Sequence, residues 1–148
     1  MKIIVDANIV FSGILNSNGK IGDLLINSKK QFSFIAPEFL RYEIRDKHPR
    51  LQKISGMSIN EILEAEYQVS KDITFISEGQ IDSQWWPEAH ALVNDIDIKD
   101  IQYVAYAKQF RCKIWSGDKK LISGLKKKGF TGILTTDELF ELKNSRRK

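Results

Sequence analysis

Two hydrophobic patterns alternate along the chain. Short runs of consecutive apolar residues, such as Ile3-Ile4-Val5, predict buried strands, because both faces of such a strand are covered. Longer segments carry apolar residues three or four positions apart, which is the spacing of one helix face. The predicted strands cover residues 3–5, 31–36, 73–76, 113–115 and 133–134. The predicted helices cover residues 9–15, 37–47, 58–71, 83–93, 97–110, 119–128 and 136–143, with one more through residues 24–26.

Several residues favour particular helix boundaries. Pro37 is expected in the first turn of its helix, where the missing amide hydrogen is not needed. His48-Pro49 is expected to end that helix, because the residue before a proline avoids helical geometry. Ser58 and Glu61 have the spacing of a capping box.

Strands that alternate with helices predict an α/β fold, with a parallel sheet and helices on both of its faces. We expect one domain over residues 1–143 and a basic tail at 144–148, because no Pro-, Gly- or Ser-rich linker divides the chain. In such folds ligands bind beyond the carboxyl ends of the strands. The polar residues at those ends are therefore the first candidates for a functional site.

Composition narrows the class of protein. The chain has 148 residues, of which 42% are apolar and 28% charged, as is usual for a globular domain. Its single cysteine, Cys112, excludes an internal disulfide and favours a reducing compartment. The apolar N-terminal run is interrupted by Asp6 and Asn8, so we interpret it as a core strand and not as a signal peptide. No apolar stretch approaches the ~20 residues of a membrane helix, and a cytoplasmic protein is expected.

The net charge of +4 is a mild basic excess, and it is concentrated in clusters at residues 119–120, 126–128 and 146–148. Such clusters suit contact with phosphates, although a solvated face or a frayed tail would have the same composition. Lys99, Lys119 and Lys120 lie next to acidic residues in the sequence. These three lysines are the candidates for binding substrate phosphates.

Asp6 and Asp118 stand at the carboxyl ends of two predicted strands. Asp6 directly follows the first strand, and Asp118 follows the fourth after Ser116-Gly117. Two acids at the ends of two parallel strands can converge on one crevice. Each also precedes a helix, and aspartate is a favoured helix N-cap. Capping and a role in a site are both open interpretations of these two residues.

Glu43 lies on the apolar face of its predicted helix. It follows Phe39 by four positions and Leu40 by three, so it projects from the same stripe. A carboxylate on a buried face is costly unless a positive charge meets it, and a metal ion would supply that charge. The alternative is a surface ion pair with Lys47, four positions further on.

Three acids crowd the start of the helix predicted over 97–110. Asp95, Asp97 and Asp100 repel one another unless a cation gathers them. Asp97 also suits an N-cap, and Asp100 is favoured near the positive end of the helix dipole. Asp95 is most simply a surface residue. Asp100 is the best ligand candidate of the three, because it lies one step before the apolar helix face.

Carboxylates from separate elements, without a set of histidine or cysteine partners, are typical of a site for a hard cation. Oxygen ligands suit Mg²⁺ or Mn²⁺ and not a structural zinc ion. Such cations promote phosphodiester hydrolysis by polarising the phosphate and by lowering the pKa of a bound water. The residues by themselves therefore favour a metal-dependent phosphodiester hydrolase.

Three segments of the chain resemble the PIN-domain nucleases. VDANIVFSGIL is similar to the family's opening motif, and PEFLRYEI carries an acid at the position of the Glu on the family's third helix. DIKDIQYVAYAKQFRCKIWSGDKKL resembles the C-terminal core of the family. The order and spacing agree from Lys2 to about Leu142, although segment 53–95 carries little family signal.

The resemblance implies a three-layer α/β/α sandwich with a parallel five-stranded sheet, and a nuclease activity that depends on Mg²⁺ or Mn²⁺. The implied site residues are Asp6, Glu43, Asp100 and Asp118 as catalytic acids, the same four with Asp97 as metal ligands, and Asn8 and Ser116 as hydrogen-bonding supports. Lys99 departs from the family pattern, because many members carry a further acid there. That departure leaves the number of metal ions open.

The PIN-domain family includes the ribonuclease toxins of bacterial toxin–antitoxin pairs. These toxins are small single domains, are often dimeric and are held silent by an antitoxin peptide. The partners that the resemblance implies are therefore RNA, an antitoxin protein and a second copy of the chain.

Two other classes of protein fit parts of the pattern. A non-catalytic nucleic-acid- or protein-binding module would keep the fold, with the acids serving only as helix caps. A phosphotransfer domain would also place an aspartate at a strand end. A phosphatase of the haloacid dehalogenase type, however, needs a second aspartate where Asn8 stands, and a receiver domain needs its aspartate at the end of a middle strand, where residues 31–38 offer none.

Overall fold

A five-stranded parallel sheet forms the centre of the structure, a computed structural model that describes residues 1–146. The strands are β1 (Lys2–Val5), β2 (Ser33–Pro37), β3 (Ile73–Ile76), β4 (Lys113–Trp115) and β5 (Ile133–Leu134). Their order across the sheet is β3-β2-β1-β4-β5, and each neighbouring pair is parallel. The central strand is thus β1, and the strand order reverses beside it.

Helices connect and follow the strands. They are α1 (Ala7–Leu15), α2 (Lys20–Asn27), α3 (Phe39–Asp46), α4 (His48–Ser55), α5 (Ile59–Ser70), α6 (Trp85–Val93), α7 (Ile101–Phe110), α8 (Lys119–Lys127) and α9 (Thr136–Arg146). Two short 3-10 turns cover Glu78–Gln80 and Ile98–Asp100. Within residues 1–146, no helix is long and apolar enough to cross a membrane.

Different helices cover the two faces of the sheet. Apolar residues of α1, α2, α5 and α9 pack with Ile3 and Val5 in one buried cluster. Residues of α6, α7 and α8 pack with Ile4 in a second cluster. All three strand residues are fully buried, as expected for a strand covered on both sides. The predicted three-layer α/β/α sandwich with a parallel five-stranded sheet is confirmed.

Trp115 fixes the end of β4 against β1. It pairs with Val5, and its carbonyl oxygen accepts a hydrogen bond from the Asp6 amide at 3.3 Å. The indole is completely buried, lies 5.7 Å from the Phe34 ring centroid and donates from Nε1 to Thr136 Oγ1 at 2.9 Å. The backbone that follows each of the two strands therefore begins from a rigid position.

Pro37 does not begin a helix, contrary to the sequence prediction. It is the last residue of β2 and pairs with Ile76, and α3 begins two residues later at Phe39. A proline is tolerated here because the pairing of β2 with β1 ends at Ile35, so no amide donor is required at Pro37. The next amide, that of Glu38, donates to the Ile76 carbonyl instead.

The His48-Pro49 step begins a helix as well as following one, and the prediction missed this helix. The first helix ends at Asp46, as expected, but α4 starts at His48 with Pro49 in its first turn, where proline is favoured. His48 also contacts a residue on a neighbouring helix. In the structure its Nε2 lies 2.5 Å from Glu66 Oε1 on α5, so the pair fastens α4 to α5.

The other predicted boundaries agree with the structure to within a few residues. The capping box is present, since Ser58 Oγ accepts from the Glu61 amide and Glu61 Oε1 accepts from the Ser58 amide. The final helix continues past its predicted end to Arg146. Residues 147–148 of the predicted basic tail lie outside the described residues.

Gly22 on α2 provides a test of how closely this helix packs against the turn that follows α1. A Cβ at this position would lie 2.2 Å from the Ser17 carbonyl oxygen, so a methyl group there must displace backbone. We expect Gly22→Ala to lower the free energy of unfolding by at least about 2 kcal/mol, measured by urea denaturation.

Gly79→Ala is the matched control, because a Cβ there meets nothing within 4 Å. It should change stability by less than about 0.5 kcal/mol. Equal effects of the two substitutions would contradict the packing described for the turn between α1 and α2.

Candidate active site

The candidate site lies at the carboxyl edge of the sheet, between β1 and β4. In open α/β sheets a crevice forms where the strand order reverses, because successive crossover connections leave toward opposite faces. Here the reversal falls at β1, which pairs with β2 on one side and with β4 on the other. Asp6 follows β1 directly, and Asp118 follows β4 after two residues.

Asp6 is held firmly by its own helix. Its side chain is only 4% exposed, and Oδ1 accepts a hydrogen bond from the Ile9 amide at 3.0 Å, which caps α1. Burial raises the pKa of Asp6 to about 6; the Ser116 hydroxyl and the Ile9 amide oppose that rise, and the charge of Asp118 adds to it. A carboxylate in this position favours the approach of a positive charge.

Asp118 is fixed in a similar way at the start of α8. Its Oδ1 accepts from the amides of Lys120 and Leu121 at 3.0 and 3.1 Å. The buried Ser116 Oγ accepts a hydrogen bond from the Asp118 amide at 3.1 Å, and the same hydroxyl interacts with the Asp6 side chain. Ser116 therefore contacts both strand-end acids. Helix capping and a position in the crevice, which were alternatives in the sequence, therefore occur together in both aspartates.

Glu43 is half-buried on α3, between the fully buried side chains of Leu40 and Ile44. Burial raises its pKa, and the nearby charges of Lys47 and Lys99 oppose that rise. In the described part of the chain, Glu43 and Lys47 do not form the ion pair that was the alternative interpretation. The carboxylate therefore lacks the close positive partner that would make it a purely structural residue.

Asp100 is the least satisfied acid of the site. Its Oδ2 is buried and has no hydrogen-bond partner among the described residues. Burial raises the pKa of Asp100 to about 7, and the charges of Asp97, Asp118, Asp6 and Glu43 add to the rise in that order. Four acids thus converge electrostatically on one carboxylate that has an unused, buried oxygen.

Asp97 and Asp95 have different surroundings. Asp97 is exposed, and its Oδ1 caps the 3-10 turn by accepting from the Lys99 amide at 3.0 Å. Asp95 forms an ion pair with Lys128 and lines a separate hollow on the surface. The expectation that Asp95 is a surface residue agrees with this placement.

A cleft of about 190 Å³ joins the acidic side chains; we refer to it as the acidic cleft. Its lining residues are Asp6, Ala7, Asn8, Phe11, Glu43, Lys47, Asp97, Lys99, Asp100, Tyr103 and Asp118. All five acids predicted as metal ligands are among them, as is Lys99. Lys119 and Lys120 are exposed and do not line the cleft; Lys120 lies at the separate hollow beside Asp95.

The donor set of the acidic cleft fits a hard divalent cation. The acidic side chains offer oxygen ligands, which Mg²⁺ and Mn²⁺ prefer, and the buried Asp100 Oδ2 has a free lone pair. As the side chains stand in residues 1–146, no three acidic, histidine or cysteine groups converge closely enough to form a metal-binding group. Cation binding would therefore draw the carboxylates closer together against their mutual repulsion.

The sequence was compared with models of known protein families. A family model described as the PIN domain matches residues 4–142, nearly the whole chain. The chain belongs to the PIN-domain family. PIN domains are usually nucleases and typically use divalent metal ions. No curated protein matches the chain.

Two cleft residues of this PIN domain were missed by sequence reasoning. Tyr103 lies one turn after Asp100 on α7, is 4% exposed and stacks edge-on with Phe39 at 5.8 Å. Burial raises its pKa, and the charges of Glu43 and Asp6 add to the rise. Phe11 lies on α1, five residues after Asp6. The three-residue spacing from Asp100 could have pointed to Tyr103, whereas nothing in the sequence singled out Phe11.

Asn8 lines the acidic cleft. Its side chain is exposed at the cleft wall, while its backbone amide is the group that donates toward Asp6 and lowers the pKa of that acid. A hydrogen-bonding role for the Asn8 side chain stays a prediction. Ser116 is completely buried, interacts through its hydroxyl with Asp6 and accepts a hydrogen bond from the Asp118 amide. Its supporting role in the site likewise stays a prediction.

The raised pKa of Asp100 predicts how stability depends on pH in the absence of divalent cations. The folded state disfavours the ionised carboxylate, so stability is lost as the pH rises from the ordinary value of 3.8 through about 7. Asp100→Asn removes that penalty. We expect it to stabilise the protein at pH 8 by about 1 kcal/mol, a value reduced for solvent screening because the side chain is only partly buried.

The measurement is the melting temperature in EDTA, recorded across a pH series. The advantage of Asp100→Asn should shrink as the pH falls from 7 toward 4. Asp82→Asn, which neutralises an exposed acid away from the cleft, should show no such trend. A constant difference between Asp100→Asn and the unmodified chain at all pH values would refute the burial argument.

Proposed function

We propose that this PIN domain is a divalent-metal-dependent endoribonuclease whose catalytic acids are Asp6, Glu43, Asp100 and Asp118. The observation that carries the proposal is the surplus of negative charge around Asp100 at the point where the strand order reverses. Capping accounts for Asp6 and Asp118, but it does not account for the unpartnered, buried oxygen of Asp100. A cleft that holds several carboxylates without positive partners, and in which the pKa of one is strongly raised, is a candidate for catalysis.

A divalent cation bound there supplies charge stabilisation for the phosphate and a water of lowered pKa. The chain's own residues determine where that chemistry occurs. Asp6 and Asp118 are held by helix amides, so their second oxygens have limited freedom. Glu43 and Asp100 close the set from α3 and from the turn before α7. We propose Asp97, at the exposed rim, as a further ligand.

The positive side chains at the cleft suit the substrate's phosphates. Lys47 and Lys99 both lie close enough to Glu43 to lower its pKa, so two cations border the acids from different elements. We propose that Lys99 binds a phosphate next to the scissile bond. Lys119 and Lys120, on the first turn of α8, would contact phosphates further away.

A non-catalytic binding module is the competing interpretation. It would explain the helix caps, but it would gain nothing from placing Glu43 and Asp100 with raised pKa values in one cleft. A receiver domain is not supported either. Its sheet order places the third strand beside the first, whereas β3 here lies at the sheet edge next to β2.

We propose RNA as the substrate, a role as a toxin and a cytoplasmic location; the resemblance of the sequence motifs to the ribonuclease toxins supports these proposals. A homodimer is a further proposal. Ile59, Leu63 and Tyr67 lie four positions apart on α5 and are 41%, 47% and 61% exposed. An apolar stripe of this kind supports a protein contact, and sedimentation velocity would show whether the chain self-associates.

The central prediction concerns cleavage. The protein should cut single-stranded RNA in Mg²⁺ or Mn²⁺, and EDTA should abolish the cut. Asp100→Asn and Asp118→Asn should each reduce the rate by at least about 100-fold, because even changes behind the ligands of metal sites cost 10–100-fold. The measurement is the initial rate on a labelled oligonucleotide, with single-stranded DNA of the same sequence as a parallel substrate.

Asp82→Asn serves as the control and should cut at the rate of the unmodified chain. RNA that is bound but left intact under both metals would favour the binding module. Equal rates on DNA and RNA would leave the nuclease in place and overturn the choice of RNA.

The toxin role has its own test. Induced expression of the chain in a bacterial host should arrest growth, because an unrestrained ribonuclease destroys cellular RNA. The Asp118→Asn variant, expressed to the same level on immunoblots, should allow normal growth. Normal growth with an active, well-expressed chain would contradict the toxin role without affecting the nuclease assignment.

A further inference from the structure

A second hollow lies directly beside the acidic cleft, between α1 and α4. It measures about 260 Å³, and we refer to it as the flanking groove. Its apolar wall consists of Phe11, Leu15, Leu51 and Ile54, and its basic residues are Lys47 and Arg50. An apolar wall with an aromatic ring and two cations differs sharply from the carboxylate lining of its neighbour.

The flanking groove and the acidic cleft share part of their lining. Asn8, Phe11 and Lys47 border both hollows. A ligand that crosses the cleft can therefore continue into the groove without leaving the surface.

The side chain of Arg50 has no polar partner within residues 1–146. It is exposed, and its guanidinium makes no hydrogen bond or ion pair within the described chain. Lys47 likewise forms no ion pair within residues 1–146, although its charge acts on Glu43. Two cations beside an acidic cleft suit a polyanion whose phosphates alternate with apolar groups.

The mixture of groups points to a nucleotide rather than to a peptide. Bases of single-stranded nucleic acids stack on aromatic side chains, and their phosphates bind lysine and arginine. Phe11 is partly exposed and lines both hollows, so its ring is available for stacking at their boundary. An apolar peptide would use the same wall, but it would not need two unpaired cations.

We propose that the flanking groove binds the nucleotide adjacent to the scissile phosphate, with its base against Phe11 and its phosphate on Lys47 and Arg50. The inference rests on the proposed nuclease function and extends it. It makes α4, a helix outside the family motifs, a determinant of substrate binding. The acidic cleft performs the cleavage, while the groove fixes the position of the RNA along it.

The test compares Arg50→Glu with Lys30→Glu in the full-length chain. Lys30 is an exposed lysine that precedes β2, so it lies at the amino ends of the strands, opposite the acidic cleft. Lys30→Glu therefore makes the same change of charge away from the cleft. We expect Arg50→Glu to raise KM for single-stranded RNA about tenfold and to leave kcat within about twofold. The dependence of log(kcat/KM) on log salt concentration should also flatten by roughly 0.7, the loss of one phosphate contact.

Phe11 is tested with the substrate as well as with the protein. An abasic site placed beside the cleaved bond should raise KM about tenfold for the unmodified chain, because one stacked base is lost. Phe11→Leu keeps an apolar side chain and should raise KM on intact RNA by a similar factor. The two changes together should cost no more than either alone, which a merely structural effect of the substitution would not produce.

The outcomes separate the two claims. If the unmodified chain cuts no RNA in Mg²⁺ or Mn²⁺, the proposed function fails and the inference fails with it. If the chain cuts RNA, but Arg50→Glu behaves as Lys30→Glu does or the abasic and Phe11→Leu effects add, the groove does not bind the nucleotide. In that case the nuclease stands, and the apolar wall is free for a protein partner.

Discussion

The parallel pairing of β1 with both β2 and β4 is the constraint on which the rest of the molecule depends. Because β1 is central and covered on both faces, its residues Ile3, Ile4 and Val5 are apolar and fully buried. Chain leaving β1 and β2 packs on one face, while α6 to α8 pack on the other. The space between them opens at the carboxyl ends of β1 and β4. Every acid of the candidate site reaches that opening from an element fixed by this sheet.

The fold tolerates several carboxylates in one cleft because two of them have a second use. Asp6 and Asp118 satisfy amides at the starts of α1 and α8, which stabilises both helices and holds the acids in place. Asp100 and Glu43 have no such compensation, and burial raises the pKa of each. The folded state is thus less stable at the point where a bound cation would offset the negative charge, a pattern expected at functional sites.

Local patterns predicted the strands and most helices because each buried strand is a short apolar run. The two errors concerned prolines, whose local preference allows more than one outcome. Pro37 ends a strand because the neighbouring ladder no longer needs its amide, and Pro49 begins a helix that packs on α5 through His48 and Glu66. Local spacing shows neither where the pairing of β2 with β1 ends nor that His48 contacts Glu66, eighteen positions further along the chain.

The acids of the cleft could be selected from the sequence because local patterns mark them. Asp6 and Asp118 follow predicted strands, and Glu43 is a carboxylate on an apolar helix face. The remainder of the site depends on packing. Tyr103 lies beside the acids because of the face that α7 turns toward the acidic cleft. Arg50 lies in the flanking groove only because residues 48–55 form α4 and that helix lies against α1. The flanking groove therefore had no counterpart among the predictions. Its residues come from α1, from the unpredicted helix α4 and from Lys47, which lies between α3 and α4.

Calorimetric titration of the metal-free protein with Mn²⁺ tests the central claim most directly, namely that the acidic cleft is a cation site. The claim predicts saturable binding accompanied by proton release near pH 7, because the pKa values of Asp6 and Asp100 are raised to about 6 and about 7. Proton release appears as a dependence of the measured heat on the ionisation enthalpy of the buffer. Binding should be lost in Asp100→Asn and kept in Asp82→Asn. No saturable heat, or equal binding by Asp100→Asn, would contradict the account and leave Asp6 and Asp118 as helix caps only.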